Sequence, residues 1–330
     1  MSGRSSFLRS LKKLPRNGRT AALHALLLAD SGLSAQEALA DALSGPLGEG
    51  GKAVAVLPQQ ERHLCSELVY GCMRAEIRIA YLLGRVLPKP ERLPLPLRHI
   101  LELAVYALLF QERVPDHAAV HSAVAQAERL FGRSLARVTN GALRSIQRFG
   151  AAVDTREFYV VGKEGALADE WGGLCRYYSL PRWLGDLWHD AYGGEAALCL
   201  MRRSFARPWS GVRVNARHEA AEELLAGLRH CAKEGCGEAV GRWGVAFAPG
   251  ELPAHVLGQS LSLWRASGAL SLQSAGSQLA VQALELDCWD APVWDACAGF
   301  GGKSVALLEQ GIDVTLCTDR SWSRLRHLPG

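Results

Sequence analysis

The sequence predicts a multidomain chain: an all-α block, then a small α/β subdomain, then a strand–turn–helix–strand segment of α/β type. Three observations predict it. From Thr20 to about Arg148, apolar residues recur at helical spacing. After about residue 151, short strand-like runs (Gly211–Asn215, Trp243–Ala248) flank a helical stretch, Glu219–Cys231. Near the end, Val293–Lys303 (VWDACAGFGGK) passes from an apolar strand through a glycine turn into a helix, and Val314–Cys317 follows as a second strand ending at Asp319.

Taken in order, residues 1–19 are polar and basic and read as a disordered tail. Ala21–Ala29 and Ala35–Leu43 are short amphipathic helices, separated by Ser44–Lys52 from a longer helical stretch, Leu57–Leu87. In that stretch Leu64, Leu68, Tyr70, Cys72 and Ile77 alternate with Glu61, Arg62, Glu67, Arg74 and Arg78. Pro94 and Pro96 open a helix with Leu97, Ile100, Leu101, Ala104 and Leu108 on one face. Val114-Pro115-Asp116 starts another, with Asp116 as its expected N-cap, and Val138–Arg144 begins the last of the block. Phe149–Leu174 has weak periodicity and reads as a connector; Tyr177–Leu184 leads into an amphipathic helix. Of Trp183, Trp209, Trp243 and Trp264, at least half are expected in the core, and the rest are free to stack on bases.

Composition narrows the class. A hydrophobic content of 48% with 21% charged residues is that of a globular protein, and a net charge of +4 permits a polyanionic partner without requiring one. The nine cysteines include no CxxC pair, and Cys231 and Cys236 beside His230 match no common zinc spacing, so no metal is expected. The N-terminus lacks an apolar h-region and no apolar run approaches ~18 residues, so neither a signal peptide nor a membrane span is expected. Reduced thiols and a cytoplasmic location follow as expectations.

The glycine turn needs closer weighing. Its glycines are not GxGxxG, and Gly302-Lys303-Ser304 ends like a phosphate loop whose first glycine position holds Cys297. Strand, glycine turn, helix and an acid 24 residues after Asp295 (319 − 295) suit a nucleotide-like ligand, but an unliganded βα turn has the same pattern.

Resemblance decides between them. DACAGFGGKS resembles the D-x-C-A-A-P-G-G-K-[ST] loop of S-adenosylmethionine-dependent RNA cytosine-5 methyltransferases of the Sun/RsmB/NOL1 family: Asp295, Cys297, Ala298, Gly301, Gly302 and Lys303 match, while Gly299 and Phe300 stand for Ala-Pro. Asp319–Leu325 keeps the family's D-x-S-x-x-R-L. Phe205–Trp209 with Arg213-Val214-Asn215, and Gly268–Leu279, are similar to its "hydrophobic-P-x-W … R-x-N" and "G-x-[hydrophobic]-x-x-Q-x-x-[AG]-S-Q" segments. The helical block resembles the NusB-like RNA-binding domain at Val114-Pro115…Val120…Ala123-Val124 and at Thr139–Arg144.

The resemblance implies a tail at 1–19, a NusB-like domain at 20–150, a linker and RNA-recognition-motif-like subdomain at 151–265, and the first part of a Rossmann-like methyltransferase domain at 266–330. It implies S-adenosyl-L-methionine as cofactor, held by Cys297, Ala298, Gly299, Phe300, Gly301, Gly302, Lys303 and Asp319, with Asp319 on the ribose hydroxyls. The substrate would be a cytosine of ribosomal RNA, of the small subunit, and the chain a monomer away from membranes. The family's nucleophile lies in a Thr-Cys-Ser motif and a second cysteine in Pro-Cys; neither motif occurs here, so no catalytic residue is assigned and these 330 residues alone are expected to be inactive and truncated. Cys297 belongs to the cofactor loop. The alternative is a non-catalytic NusB-type RNA-binding protein.

Overall fold

A computed structural model describes residues 11, 13–44, 56–111, 114–160, 169–284, 292–326 and 328. Most of the expected basic tail, nearly all of the expected separator Ser44–Lys52, and the middle of the expected connector lie outside those residues. The chain divides into two compact units, Met1–Ala206 and Arg207–Gly330.

In the first unit, α1 (Gly18–Ala29) is capped by the Asn17 side chain, whose Oδ1 accepts the Thr20 N–H at 2.9 Å. It packs against α2 (Ala35–Ser44), α3 (Gln59–Arg74) and α5 (Leu95–Phe110). α5 begins behind Pro94, where a missing N–H costs nothing, and is buried along most of its length. α6 (Asp116–Phe131) and α7 (Arg133–Gln147) pair closely, joined by Gly132 at φ +82°. Asp116 is the first helical residue rather than the cap, and its carboxylate accepts the Gln147 amide at 3.1 Å.

The helical stretch Leu57–Leu87 is broken at Ala75 into α3 and α4 (Glu76–Val86). The reason is tertiary: the first free N–H groups of α4 are met by Ser179 Oγ, 2.9 Å from the Ile77 nitrogen. Arg78, one of the charged residues of that stretch, is 3% exposed. Its guanidinium donates to Tyr159 Oη (2.9 Å) and the Val153 carbonyl (2.6 Å), among the rings of Phe110, Tyr159, Tyr177 and Phe205. These partners follow α7: a 3₁₀ turn (Gly150–Asp154), α8 (Glu157–Val160) and α9 (Glu170–Tyr177), then α10 (Arg182–Tyr192) and α11 (Gly194–Phe205). The stretch expected to be a connector is therefore, where described, helical and docked on the bundle, with Val153 and Tyr159 in its apolar core and the Arg78 cation buried beside them. α9, α10 and α11 enclose their own small core of Cys175, Tyr178, Leu180 and Met201.

The second unit holds a four-stranded antiparallel sheet in the order β2-β3-β1-β6: β1 (Ser210–Val214), β2 (Gly237–Val240), β3 (Gly244–Phe247) and β6 (Leu270–Leu272). With α12 (Ala221–Glu234) between β1 and β2, this is a split β-α-β-β-α-β plan, its second crossover carrying a β4–β5 hairpin (His255–Val256, Gln259–Ser260) and a short α13 (Leu261–Ala266). Val212, Val214, Val245 and Phe247 pack under α12 on Leu224, Leu225 and Leu228. Trp243 and Trp264 are half-buried against that core, whereas Trp183 in the first unit and Trp209 are exposed. α14 (Ala275–Gln282) packs on β1 and β3. β7 (Val293–Asp295), α15 (Gly302–Glu309) and β8 (Val314–Cys317) form a right-sized βαβ unit whose strands pair in parallel and apart from the other sheet. A last short helix, α16 (Trp322–Leu325), follows. No helix among the described residues is long and apolar enough to cross a membrane.

Candidate cofactor site

The strand-turn-helix reading of Val293–Lys303 is built as a crossing of two strand ends. β7 and β8 end side by side, with the Thr318 N–H donating to the Asp295 carbonyl at 2.9 Å and the Ala298 N–H to the Thr318 carbonyl at 3.0 Å. This clamp brings the glycine turn against the residue that follows β8. Asp319 Oδ2 accepts the Gly299 N–H at 2.8 Å and Oδ1 accepts the Ser321 N–H at 2.8 Å. Those backbone donors hold the Asp319 carboxyl below the usual carboxylate range, with Arg324 and Arg320 adding a smaller push the same way. The result is a solvent-open carboxylate, oriented by two N–H groups, with lone pairs left over for a diol.

The turn needs its glycines. Gly299 and Gly301 sit at φ +57° and +80°. Gly301 also caps α15, and a Cβ there would lie 2.0 Å from the Leu328 side chain. Gly302 opens the helix, and Lys303 follows with its side chain exposed. Cys297 is exposed, Ala298 is buried under the turn, and Phe300 is 59% exposed. The eight residues singled out in the sequence thus occupy one turn and the strand end beside it. They do not share one cavity: Phe300, Gly301 and Gly302 line a cleft of about 760 Å3 with Arg217, Arg265 and Leu272, and Asp319 is not part of its wall.

Asp295 serves the scaffold. Its Oδ2 accepts the Ser304 hydroxyl at 2.7 Å and its Oδ1 the Cys297 N–H at 3.2 Å, so both oxygens are used inside the turn. The half-buried Cys317 thiol points at Ser304 Oγ, 3.5 Å away.

A second set of residues supports the turn and was not legible as such. Arg213 on β1, 6% exposed, pairs with Glu309 on α15 at 2.7 Å and donates to the Gly302 carbonyl at 3.0 Å. Gln273 joins it, bonding both Arg213 and the Gly302 carbonyl. The four-stranded sheet is thereby bolted to the first turn of α15. The signal was present in the motifs R-x-N and L-x-x-Q, but not what they hold, because the contacts span 29 to 96 residues. Asn215 closes the same edge, its N–H donating to the Ala269 carbonyl at 2.9 Å and its amide to the Gly268 carbonyl at 3.1 Å.

The residues fit a nucleoside-bearing cofactor in part. Asp319 supplies an oriented, ionised acceptor at a strand end, and the glycines leave room for close approach. Among the described residues no group of three or more His, Cys, Asp or Glu side chains is placed to hold a metal ion.

Residues 16–148 match the NusB family. Over 258 residues the chain is 33% identical to a Bacillus subtilis protein named "Probable ribosomal RNA small subunit methyltransferase B", covering 77% of this chain and 53% of that one. A Pseudomonas syringae protein named "Ribosomal RNA small subunit methyltransferase B" is 30% identical over 285 residues, covering 84% and 58%. A Thermus thermophilus protein of the same name is 28% identical over 286 residues, with 84% and 58% covered. The chain therefore spans a little over half the length of these relatives. A solved structure titled "Crystal Structure of PH0851" is similar at a TM-score of 0.60 and 18% identity, covering 96% of this chain and 66% of that one; at that identity it shows the fold alone. Residues 16–148 are thus similar to the NusB family, and over most of its length the chain is similar to the proteins named ribosomal RNA small subunit methyltransferase B.

Proposed function

We propose that the chain is the RNA-binding and cofactor-loop portion of an S-adenosylmethionine-dependent enzyme that methylates C5 of a cytosine in small-subunit ribosomal RNA, working in the cytoplasm. The observation that carries the reading is the Asp319 carboxylate fixed by the Gly299 and Ser321 N–H groups at the tip of β8. In this reading Asp319 accepts the ribose hydroxyls, and Cys297, Ala298, Gly299, Phe300, Gly301, Gly302 and Lys303 line the turn beside the adenosine and methionine parts. The bound cofactor supplies an electrophilic methyl group. The chain's own residues position it: Gly299 and Gly302, which have room where a Cβ would stand, admit it, and Arg213 and Gln273 keep the start of α15 from moving. The division into helical domain (20–150), linker and small α/β subdomain (151–265) and Rossmann-like cofactor segment (266–330) belongs to the same proposal, with β6 (Leu270–Leu272) crossing the last boundary to complete the small subdomain's sheet, as does a monomeric state.

Attack on the methyl group by C5 needs a thiolate added to C6 of the base. The 330 residues contain neither Thr-Cys-Ser nor Pro-Cys, so methyl transfer by them alone is not expected. Phe300, which stands where the resembling loop has proline, favours a second reading, a non-catalytic NusB-type RNA-binding protein. Saturation-transfer NMR with the demethylated cofactor separates the two. The enzyme reading expects weak binding, with a Kd of about 1 mM or above, that is lost in Asp319→Ala. Transfer of equal strength in the variant would overturn the assignment of Asp319, and no transfer in either protein would favour the non-catalytic reading.

A further inference from the structure

Unit two offers RNA little open sheet. The described residues of β1 after Ser210 and all of β3 are buried, covered by α12 and α14. The positive charge that is laid out in an order lies instead in the first unit, on α7. Arg133, Arg137, Arg144 and Arg148 follow one another at spacings of four, seven and four residues. At ~100° per residue they fall within a sector of roughly 60°, opposite the buried face formed by Ala136, Thr139, Ala142, Leu143 and Ile146. All four are exposed, along roughly 22 Å of helix and its C-cap at 1.5 Å per residue.

The arginines are not spent on carboxylates. Arg133 lies 3.4 Å from Glu128, but Arg144 bonds Gln147 and Arg148 bonds Ser145, and among the described residues Arg137, Arg144 and Arg148 have no acidic partner. Asp116, the other nearby acid, accepts the Gln147 amide. Asn140, Gly141, Arg144, Gln147 and Arg148 line a shallow groove of about 590 Å3. Gly141 is an independent sign of what the groove is for. It sits mid-helix, where glycine costs about 1 kcal/mol against alanine, yet nothing lies within 4 Å of the Cβ it lacks. No packing demand in the fold requires it to be small.

We propose that the outer face of α7 is a contact surface for the RNA backbone, with Arg137, Arg144 and Arg148 on successive phosphates and Gly141 letting the strand lie close to the helix. This rests on the RNA reading above and adds the place where the RNA is held. A lipid surface fits less well, because an interfacial helix inserts large apolar side chains and Val138 is the one exposed large hydrophobic residue that α7 offers.

The test is fluorescence anisotropy of a labelled small-subunit ribosomal RNA fragment with the full chain, across about 50–200 mM salt. The triple variant Arg137→Gln/Arg144→Gln/Arg148→Gln should bind at least ~10-fold more weakly, with a log–log salt slope shallower by about 2–3. A triple of equal charge change on exposed arginines elsewhere in the unit, Arg62→Gln/Arg92→Gln/Arg203→Gln, should bind like the parent. Gly141→Glu, which raises helix propensity, should weaken binding without lowering thermal stability. Equal binding by the two triples would overturn the α7 surface and leave the RNA reading standing. No salt-sensitive binding by the parent chain would overturn both, and arginine-dependent capture by phosphatidylserine vesicles without RNA binding would replace RNA with a membrane.

Discussion

Removing the Arg78 guanidinium should loosen the docking of the 3₁₀ turn, α8 and α9 on the helical bundle. Its two buried hydrogen bonds, to Tyr159 Oη and the Val153 carbonyl, are charge-assisted, and such bonds contribute about 1.5–3 kcal/mol each. The third partner, Asp154, is 69% exposed, and its 3.2 Å pairing adds little. Against the loss stands relief from burying a cation, which the aromatic rings offset only in part, the nearest being Tyr177 at 4.6 Å from the guanidinium carbon. Val153 is not orphaned by the change, because Tyr159 Oη also donates to its carbonyl at 2.9 Å. The balance for Arg78→Ala is a destabilisation of about 3–5 kcal/mol, two charge-assisted bonds less the relief from burying the cation. Arg78→Lys keeps the charge but lacks the fork that reaches two acceptors, and should recover less than half of the loss. Urea denaturation of the full chain by helix circular dichroism measures the total, and hydrogen exchange at α8 and α9 amides locates it. A cost below about 1 kcal/mol, or exchange in α8 and α9 that matches the parent, would refute the account of Arg78 as the docking cation.

Other expectations concern the first unit's charge and the turn. His99, 6% exposed, bridges Glu102 (2.7 Å) and Asp30 (2.8 Å), tying α5 to the end of α1. Burial pulls its pKa down, but the hydrogen bonds and charges of Glu102 and Asp30 outweigh that and raise it above 6.5. The stabilisation is therefore complete below about pH 6.5 and is lost as pH rises through the raised value; the parent should lose stability over that window while His99→Gln should not. Gly301→Ala, at φ +80° and against Leu328, should cost about 1–2 kcal/mol or more from backbone strain alone, read as faster amide exchange in α15. Arg213→Ala leaves the Glu309 carboxylate buried without its cation and should speed α15 exchange by about 3–5 kcal/mol of local opening, while Glu309→Gln should cost less.

Much of this architecture was readable where the cause is local. β8 runs over Val314–Cys317, as its apolar run bounded by polar residues indicates, and α5 starts behind Pro94 because proline fixes the entry. The glycine turn was readable because positive φ demands glycine at 299 and 301. What escaped reading depends on distant partners. Nothing near Ala75 in the chain announces a break that Ser179 makes possible, and nothing near Arg78 says that four aromatic rings will surround it. The same holds at the site. Arg213 and Gln273 were visible as a motif, but their task of gripping the Gly302 carbonyl exists only once β1, β6 and α15 are assembled. Asp295, which matches the cofactor-loop pattern, spends both its oxygens on Ser304 and Cys297, a use that only the folded turn reveals.

In the proposed function the turn at 297–303 and the carboxylate of Asp319 form one cofactor-binding edge. Amide chemical-shift mapping of the isotope-labelled chain, titrated with the demethylated cofactor, reads that edge residue by residue. Shifts should concentrate at Cys297–Lys303, Asp319 and Ser321 and vanish in Asp319→Ala. Shifts confined to other residues, or unchanged in that variant, would rule the edge out.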